Sequence, residues 1–209
     1  MAEFSIKNGN TGDIAKVDSN NRLHVASITE PEADHAADSS ISQKYNINTG
    51  DVTITNATKL SLLYIKNTGT NDMVVTALIY NLGNTASGTG DVLIEVLRNP
   101  NAGSIITNTN DVATGVGVEA NSNFGSTNTL TGNFYKGAVG ETALSGQDGV
   151  YLTTRSSSNT GRIVISLGKL VLPKGSTLGV SYTPPTSNTS QIVQIAAACY
   201  IRTTEVSAP

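Results

Sequence analysis

The residues able to carry chemistry are few, and they are scattered. Two histidines, His24 and His35, are the only imidazoles in 209 residues. A zinc site needs three or four His, Cys or carboxylate ligands that converge. Here His24 alternates with Arg22 along a strand-like run and reads as solvated, and His35 sits among acids. Cys199, the single cysteine, lies in the apolar run Ile195-Ala-Ala-Ala-Cys-Tyr-Ile201. It reads as a small buried hydrophobe, because a reactive thiol needs a cationic, part-exposed setting. The aspartates, from Asp13 to Asp148, fall mostly in turns, where their ordinary role is capping. Asp72 or Asp91 with backbone carbonyls is the best candidate for loop-bound calcium, but the dense acidic spacing of a dedicated loop is absent. Paired-carboxylate glycoside hydrolysis would have to draw on Glu95, Glu119, Glu141 and Glu205, the only glutamates of the body.

Two further kinds of chemistry find no footing. The Gly-rich pieces at Gly83–Gly90 and Gly115-Val-Gly117 lack the Lys-Ser/Thr ending of a phosphate loop and the helix that follows one. No Gly-x-Ser-x-Gly elbow occurs, and a serine nucleophile needs a positioned base. Seven Tyr and three Phe, with no Trp, are spread singly and form no stacking platform. The expectation is a non-enzymatic chain with no cofactor and no metal.

The elements that would position any site are strands and turns. Thr, Ser, Asn and Gly make up about two-fifths of the chain, and charged residues only 14%, well below the ~25% of an ordinary domain. The net charge of -3 and the scattered Lys and Arg argue against nucleic-acid binding, which needs clustered cations. No apolar run reaches the ~20 residues of a membrane helix, and the N-terminus lacks a signal-peptide core. Two sequons, Asn56-Ala-Thr58 and Asn188-Thr-Ser190, are expected by chance in so Asn- and Thr-rich a chain.

The first 44 residues read as an extended arm. Ile14-Ala-Lys-Val17 and Arg22-Leu-His-Val25 flank the turn Asp18-Ser-Asn-Asn21, a hairpin signal. A lone hairpin is marginal in water, so its anchoring residues Ile14, Lys16, Val17, Arg22, Leu23 and Val25 are expected to pack on another surface. The arm also carries an acidic cluster, Glu30-Pro-Glu-Ala-Asp-His35 and Asp38. Residues 45–209 read as a β-sandwich domain. Tyr45–Ile54 reads as two short strands around Asn48-Thr-Gly-Asp51. Leu60–Lys66 and Met73–Tyr80 read as a strand and its return around Asn67-Thr-Gly-Thr-Asn-Asp72. Val92–Arg98, Val150–Thr154, Arg162–Leu172, Thr177–Tyr182 and Ile192–Arg202 are further strands. Ile105 and Ile106 read as the start of another. Residues 107–149 form a long excursion anchored by Leu130, Phe134, Tyr135 and Val139, and excursions of that length are often functional. No credible helical period appears. The expected fold is an all-β antiparallel sandwich of jelly-roll type, with an immunoglobulin-like sandwich as the runner-up.

Residues 8–25, Asn-Gly-Asn-Thr-Gly-Asp-Ile-Ala-Lys-Val-Asp-Ser-Asn-Asn-Arg-Leu-His-Val, resemble an N-terminal element of minor virion proteins of tailed bacteriophages. The pattern there is Gly, then Ala-x-Val-Asp, a turn, and Arg-Leu-x-Val. Glu32-Ala-Asp-His-Ala36, Tyr45-Asn-Ile-Asn-Thr-Gly50, Leu62-Leu-Tyr-Ile-Lys-Asn67 and the run from Leu170 to Pro184 are similar to segments of such proteins. The resemblance implies a virion location, an N-terminal anchor and a capsid decoration or head-fibre role. A carbohydrate- or receptor-binding role in tail or neck is the alternative, with residues 107–149 as the binding surface. The partners expected are the major capsid or another virion protein and further copies of this chain, a trimer for preference. Neither nucleic acid nor membrane is expected as a partner. Synthesis would be in a host bacterial cytoplasm.

Overall fold

This computed structural model describes residues 43–55, 57–83, 90–107, 120–138, 142–157, 161–186, 188 and 190–202. The arm, with Ile14, Lys16, Val17, Arg22, Leu23, Val25, His24 and His35, lies outside the described residues, except for Gln43 and Lys44 at its end. Lys44 itself opens the first strand.

The strands are β1 (Lys44–Asn48), β2 (Val52–Ile54), β3 (Leu60–Asn67), β4 (Met73–Leu82), β5 (Val92–Arg98), β6 (Ala120–Asn121), β7 (Gly132–Lys136), β8 (Gly149–Ser156), β9 (Gly161–Leu172), β10 (Thr177–Thr183) and β11 (Gln191–Ile201). One helical turn, α1 (Ser104–Thr107), is the sole helix among the described residues. All pairings are antiparallel. One sheet runs β6-β1-β11-β4-β9, with β2 also on β11; the other runs β7-β3-β10-β5-β8. The all-β sandwich expected from composition is therefore the architecture observed.

Both sheets bury alternate residues in one shared core. β11 turns Val193, Ile195, Ala197 and Cys199 inward, β4 turns Met73, Val75, Leu78 and Tyr80, and β10 turns Leu178, Val180 and Tyr182. In β11 the residues between are mostly more open, the period-two signature of a strand with one buried face, whereas β10 is buried on both faces. Each fully buried Leu, Ile or Val adds about 1.5–3 kcal/mol over its exposed state. A smaller cluster of Tyr64, Leu97, Ile105 and Leu144 covers part of the far face of the second sheet.

Pairing differs from the local expectation in three places. From β2 onward, consecutive strands change sheet at every step except β7 to β8. The segment Thr68–Asp72 is thus a corner between sheets, and β3 and β4 are not a hairpin. The cause is Asn67, fully buried at the end of β3. Its Nδ2 donates to Asn71 O and Leu172 O, both at 2.8 Å, and its Oδ1 accepts from Gly69 N at 3.0 Å. Those bonds tie the β3–β4 corner to the end of β9, so the chain cannot fold straight back. Second, β1 and β2 do not pair with each other. Both pair with β11, β1 against Ala196–Tyr200 and β2 against Gln191–Val193. Third, Ile105 and Ile106 form α1 rather than a strand. Ser104 is clamped to residue 142: Thr142 N donates to Ser104 Oγ at 2.8 Å, and Ser104 N to Thr142 Oγ1 at 2.9 Å. That clamp seats Ile105 among Tyr64, Leu97 and Leu144.

Candidate assembly surfaces

The sandwich has two lateral edges of opposite character. On one side, β8 and β9 pair with a single neighbour each, β5 and β4. They are long, at 8 and 12 residues, and they carry large apolar groups into solvent: Val150 is 47% exposed, Tyr151 54%, Val164 58% and Val171 38%. An apolar run would hide all four. In β9 the alternation buries Ile165 and Leu167 while turning Val164 outward. Facing irregularities then open a mouth between the sheets. In β8 the register slips so that Val96 faces Leu152 and Leu97 faces Val150, which makes Tyr151 the extra, re-aimed residue of a bulge. Its hydroxyl donates to Leu167 O in the other sheet, at 3.4 Å. In β9 the residues between Ser166 and Leu170 bulge opposite Thr76. Gly168 sits there at φ +65, a left-handed backbone that glycine adopts at little cost. The resulting cavity is about 450 Å³ and is lined by Leu97, Arg98, Tyr151, Lys169, Leu172 and Leu178, among others.

On the other side the edge strands are short: β6 has 2 residues and β7 has 5. β7 lies so close on β3 that a Cβ at Gly137, just past its end, would collide with Ser61 O. Phe134 plugs the core here at 2% exposure. The turn after β6 is held by its own polar side chains. Asn123 N donates to Asn121 Oδ1, Gly125 N to Asn123 Oδ1, and Asn128 N to Ser126 Oγ. Ser122 Oγ donates to Lys44 O at 2.7 Å. This stapled turn presents Phe124 at 95% exposure.

The chemical candidates are drawn into structure. Cys199 is wholly buried, and burial pushes its thiol up to about 12. Asp72 faces Arg202 at 3.7 Å, and Asp91 faces Arg155 at 3.6 Å. Asp51 accepts from Gln194 Nε2, and Asp148 accepts from Asn99 Nδ2 at 2.7 Å. Glu95 is ion-paired with Lys59. Its cross-strand neighbours are Ser181 and Thr153, so neither strand beside it brings a second carboxylate. No cluster of three or more His, Cys, Asp or Glu occurs among the described residues. Asn188 of the second sequon is 4% exposed and donates to Ile54 O at 3.3 Å, so it is no surface site. Burial also raises the hydroxyls of Tyr80 and Tyr182. For Tyr182 the bond it donates to Gln191 Oε1, at 2.7 Å, works the other way.

Sequence reasoning missed Phe124 and Tyr151 as surface features. It also missed Asn99, whose Oδ1 accepts from Thr177 N at 3.0 Å and whose backbone is left-handed at φ 48. The Asn-Pro-Asn-Ala-Gly stretch was a signal for a turn there, but not for that cross-strand bond.

No family model and no curated protein matches the chain. Solved structures with remote similarity include two viral particles. One is of T=1 particles derived from infectious bursal virus, 11% identical, covering 76% of this chain and 40% of that one, with a TM-score of 0.20. The other is the T13 viral particle of IBDV, 10% identical, covering 79% and 41%, with a TM-score of 0.18. This chain therefore spans about two-fifths of the length of each. No helix among the described residues is long and apolar enough to cross a membrane.

Proposed function

We propose that this chain is a non-enzymatic virion structural protein of a tailed bacteriophage, of capsid decoration or head-fibre type. It attaches through its leading arm, and its sandwich, residues 45–209, is a jelly roll that associates with further copies. The observation that carries the assembly role is the open β8/β9 edge. Long unpaired edges with exposed apolar side chains are contact surfaces or aggregation hazards. The virion location rests on the resemblance of residues 8–25.

The strand order supports the jelly roll. With β6 and β7 set aside and β1 and β2 counted as one interrupted strand, eight strands remain. They are ordered first–eighth–third–sixth in one sheet and second–seventh–fourth–fifth in the other, the two interlocked Greek keys of that topology.

Deleting residues 1–28 tests attachment. The expected result is a folded body that no longer joins the particle. Incorporation of the truncated protein at full occupancy overturns the reading. A second reading, carbohydrate or receptor binding, is favoured by one feature, the exposed Phe124 on its stapled turn within the 107–149 excursion. Saturable binding on a glycan array that is lost in Phe124→Ala supports that alternative.

A further inference from the structure

We propose that copies of this chain join head to tail, the Phe124 ring of one seating in the mouth between β8 and β9 of the next. The proposal rests on the self-association in the reading above and supplies its contact. Three observations converge on it.

The first is fit. Phe124 is 95% exposed on a turn that its own Asn and Ser side chains hold in place, so little freedom is lost when the ring is captured. The mouth has an apolar floor of Leu97, Leu172 and Leu178, with the half-exposed Tyr151 at its lip. An apolar cavity of about 150 Å³ is enough for a benzene ring, and this one offers about 450 Å³. Gly125, next to the ring, adds no side chain to obstruct entry. The Tyr151 ring can meet the entering ring edge to face.

The second is charge. Arg98 lines the mouth, and Lys174 stands on the exposed turn that follows β9. Two mouths placed face to face would set these cations against their own copies. The run from Ala120 to Gly132 carries no charge at all, and an aromatic face attracts a guanidinium. An exposed ring on a neutral, polar rim is therefore an occupant this mouth accepts.

The third is placement. Ser122 N donates to Lys44 O at 2.8 Å. Lys44 lies opposite Tyr200, Tyr200 opposite Val74, and Val74 opposite Val171, which lines the mouth. One row of the first sheet thus runs from the base of the Phe124 turn to the mouth. Knob and hole sit at the same height on opposite sides, four strand spacings apart, roughly 19 Å. Two copies cannot exchange both contacts at once, so the interface is heterologous. With no step along the strands, successive copies stand side by side. A buried Phe brings about 200 Å², and the wall it covers about as much. This is a weak contact, below the ~1,200 Å² of a stable pair, and neighbouring copies on a shared particle would reinforce one another.

Sedimentation velocity of the full chain across a concentration series is the first measurement. The unaltered chain should self-associate. Phe124→Ala should weaken that association at least about tenfold with an unchanged melting temperature, since so exposed a ring touches little of its own chain. Disulfide trapping is the second, with Cys199 buried and out of reach. Chains carrying Gly125→Cys, where a Cβ meets nothing closer than 3.5 Å, are mixed with chains carrying Val171→Cys and oxidised with copper phenanthroline in air. The mixed disulfide should exceed each like-with-like product at least about tenfold, as a heterologous contact requires. Both substitutions in one chain should give a ladder of products beyond the dimer. A statistical mixture of disulfides, a ladder that ends at the dimer, or undiminished association of Phe124→Ala each overturns the head-to-tail contact while leaving self-association standing. A chain that stays monomeric overturns both. Attachment through the arm is judged separately, by incorporation of the truncated protein.

Discussion

The β6/β7 edge and the β8/β9 edge border the same core, yet they manage the same problem in opposite ways. At β6/β7 the strands are cut to 2 and 5 residues, and Asn and Ser side chains satisfy the turn from within. At β8/β9 the strands run to 8 and 12 residues and carry exposed Val and Tyr. A sheet edge left long and apolar has not been optimised for life alone. The difference separates residues that hold the fold from residues free to serve contact.

Substitutions can break that comparison. The largest expected effect is at the closed edge. Phe134→Ala should cost about 4 kcal/mol, because it leaves a cavity beneath β7, and chemical denaturation would read this as a lowered midpoint. Gly137→Ala should cost about 3 kcal/mol, since its methyl group meets Ser61 O and β7 must shift off β3; the loss of melting temperature reports it. At the open edge, Tyr151→Ala should cost about 1 kcal/mol or less, the worth of one long hydrogen bond on a half-exposed ring. If it destabilises as much as Phe134→Ala, the two edges are not different in kind. Val164→Lys should change stability by about 0.5 kcal/mol or less while lowering incorporation into particles. Full incorporation would remove this edge from the assembly surface.

The interior between the edges provides a pH control. Cys199, Tyr80 and Tyr182 are held in their neutral forms by burial. In the unfolded chain the thiol ionises near 9, in the fold near 12. The unfolded state therefore loses its proton first. The stabilisation is complete below pH 9 and is lost as pH rises toward 12. Unfolding midpoints measured between pH 8 and 11 should fall on the alkaline side, and a thiol reagent at pH 8 should label Cys199 only after denaturation.

The strands themselves were largely legible. β-branched runs such as Val92–Arg98 and Arg162–Leu172 had turn residues at both ends, and short-range periodicity is what such runs encode. Pairing was not legible, because a hairpin turn and a sheet-to-sheet corner use the same residues. Asn67-Thr-Gly-Thr-Asn-Asp72 satisfies either reading, and only the reach of Asn67 to Leu172, 105 positions away, decides between them. Nor could the surface be read. Val164 and Ile165 are equivalent in composition, and the pleat alone puts one in water and the other near the core. Nothing in the polar stretch around Phe124 signals its exposure, which its stapled turn imposes.

One feature of the topology bears on how the chain comes to be folded. β11, the last strand among the described residues, fills the gap between β1/β2 and β4. Until it leaves the ribosome, the first sheet exists as two unjoined fragments. Almost every contact that stabilises the body spans a long stretch of chain, and such topologies fold slowly. A nascent chain stalled before residue 190 should remain open to protease, and the body should close in one late step once β11 is free.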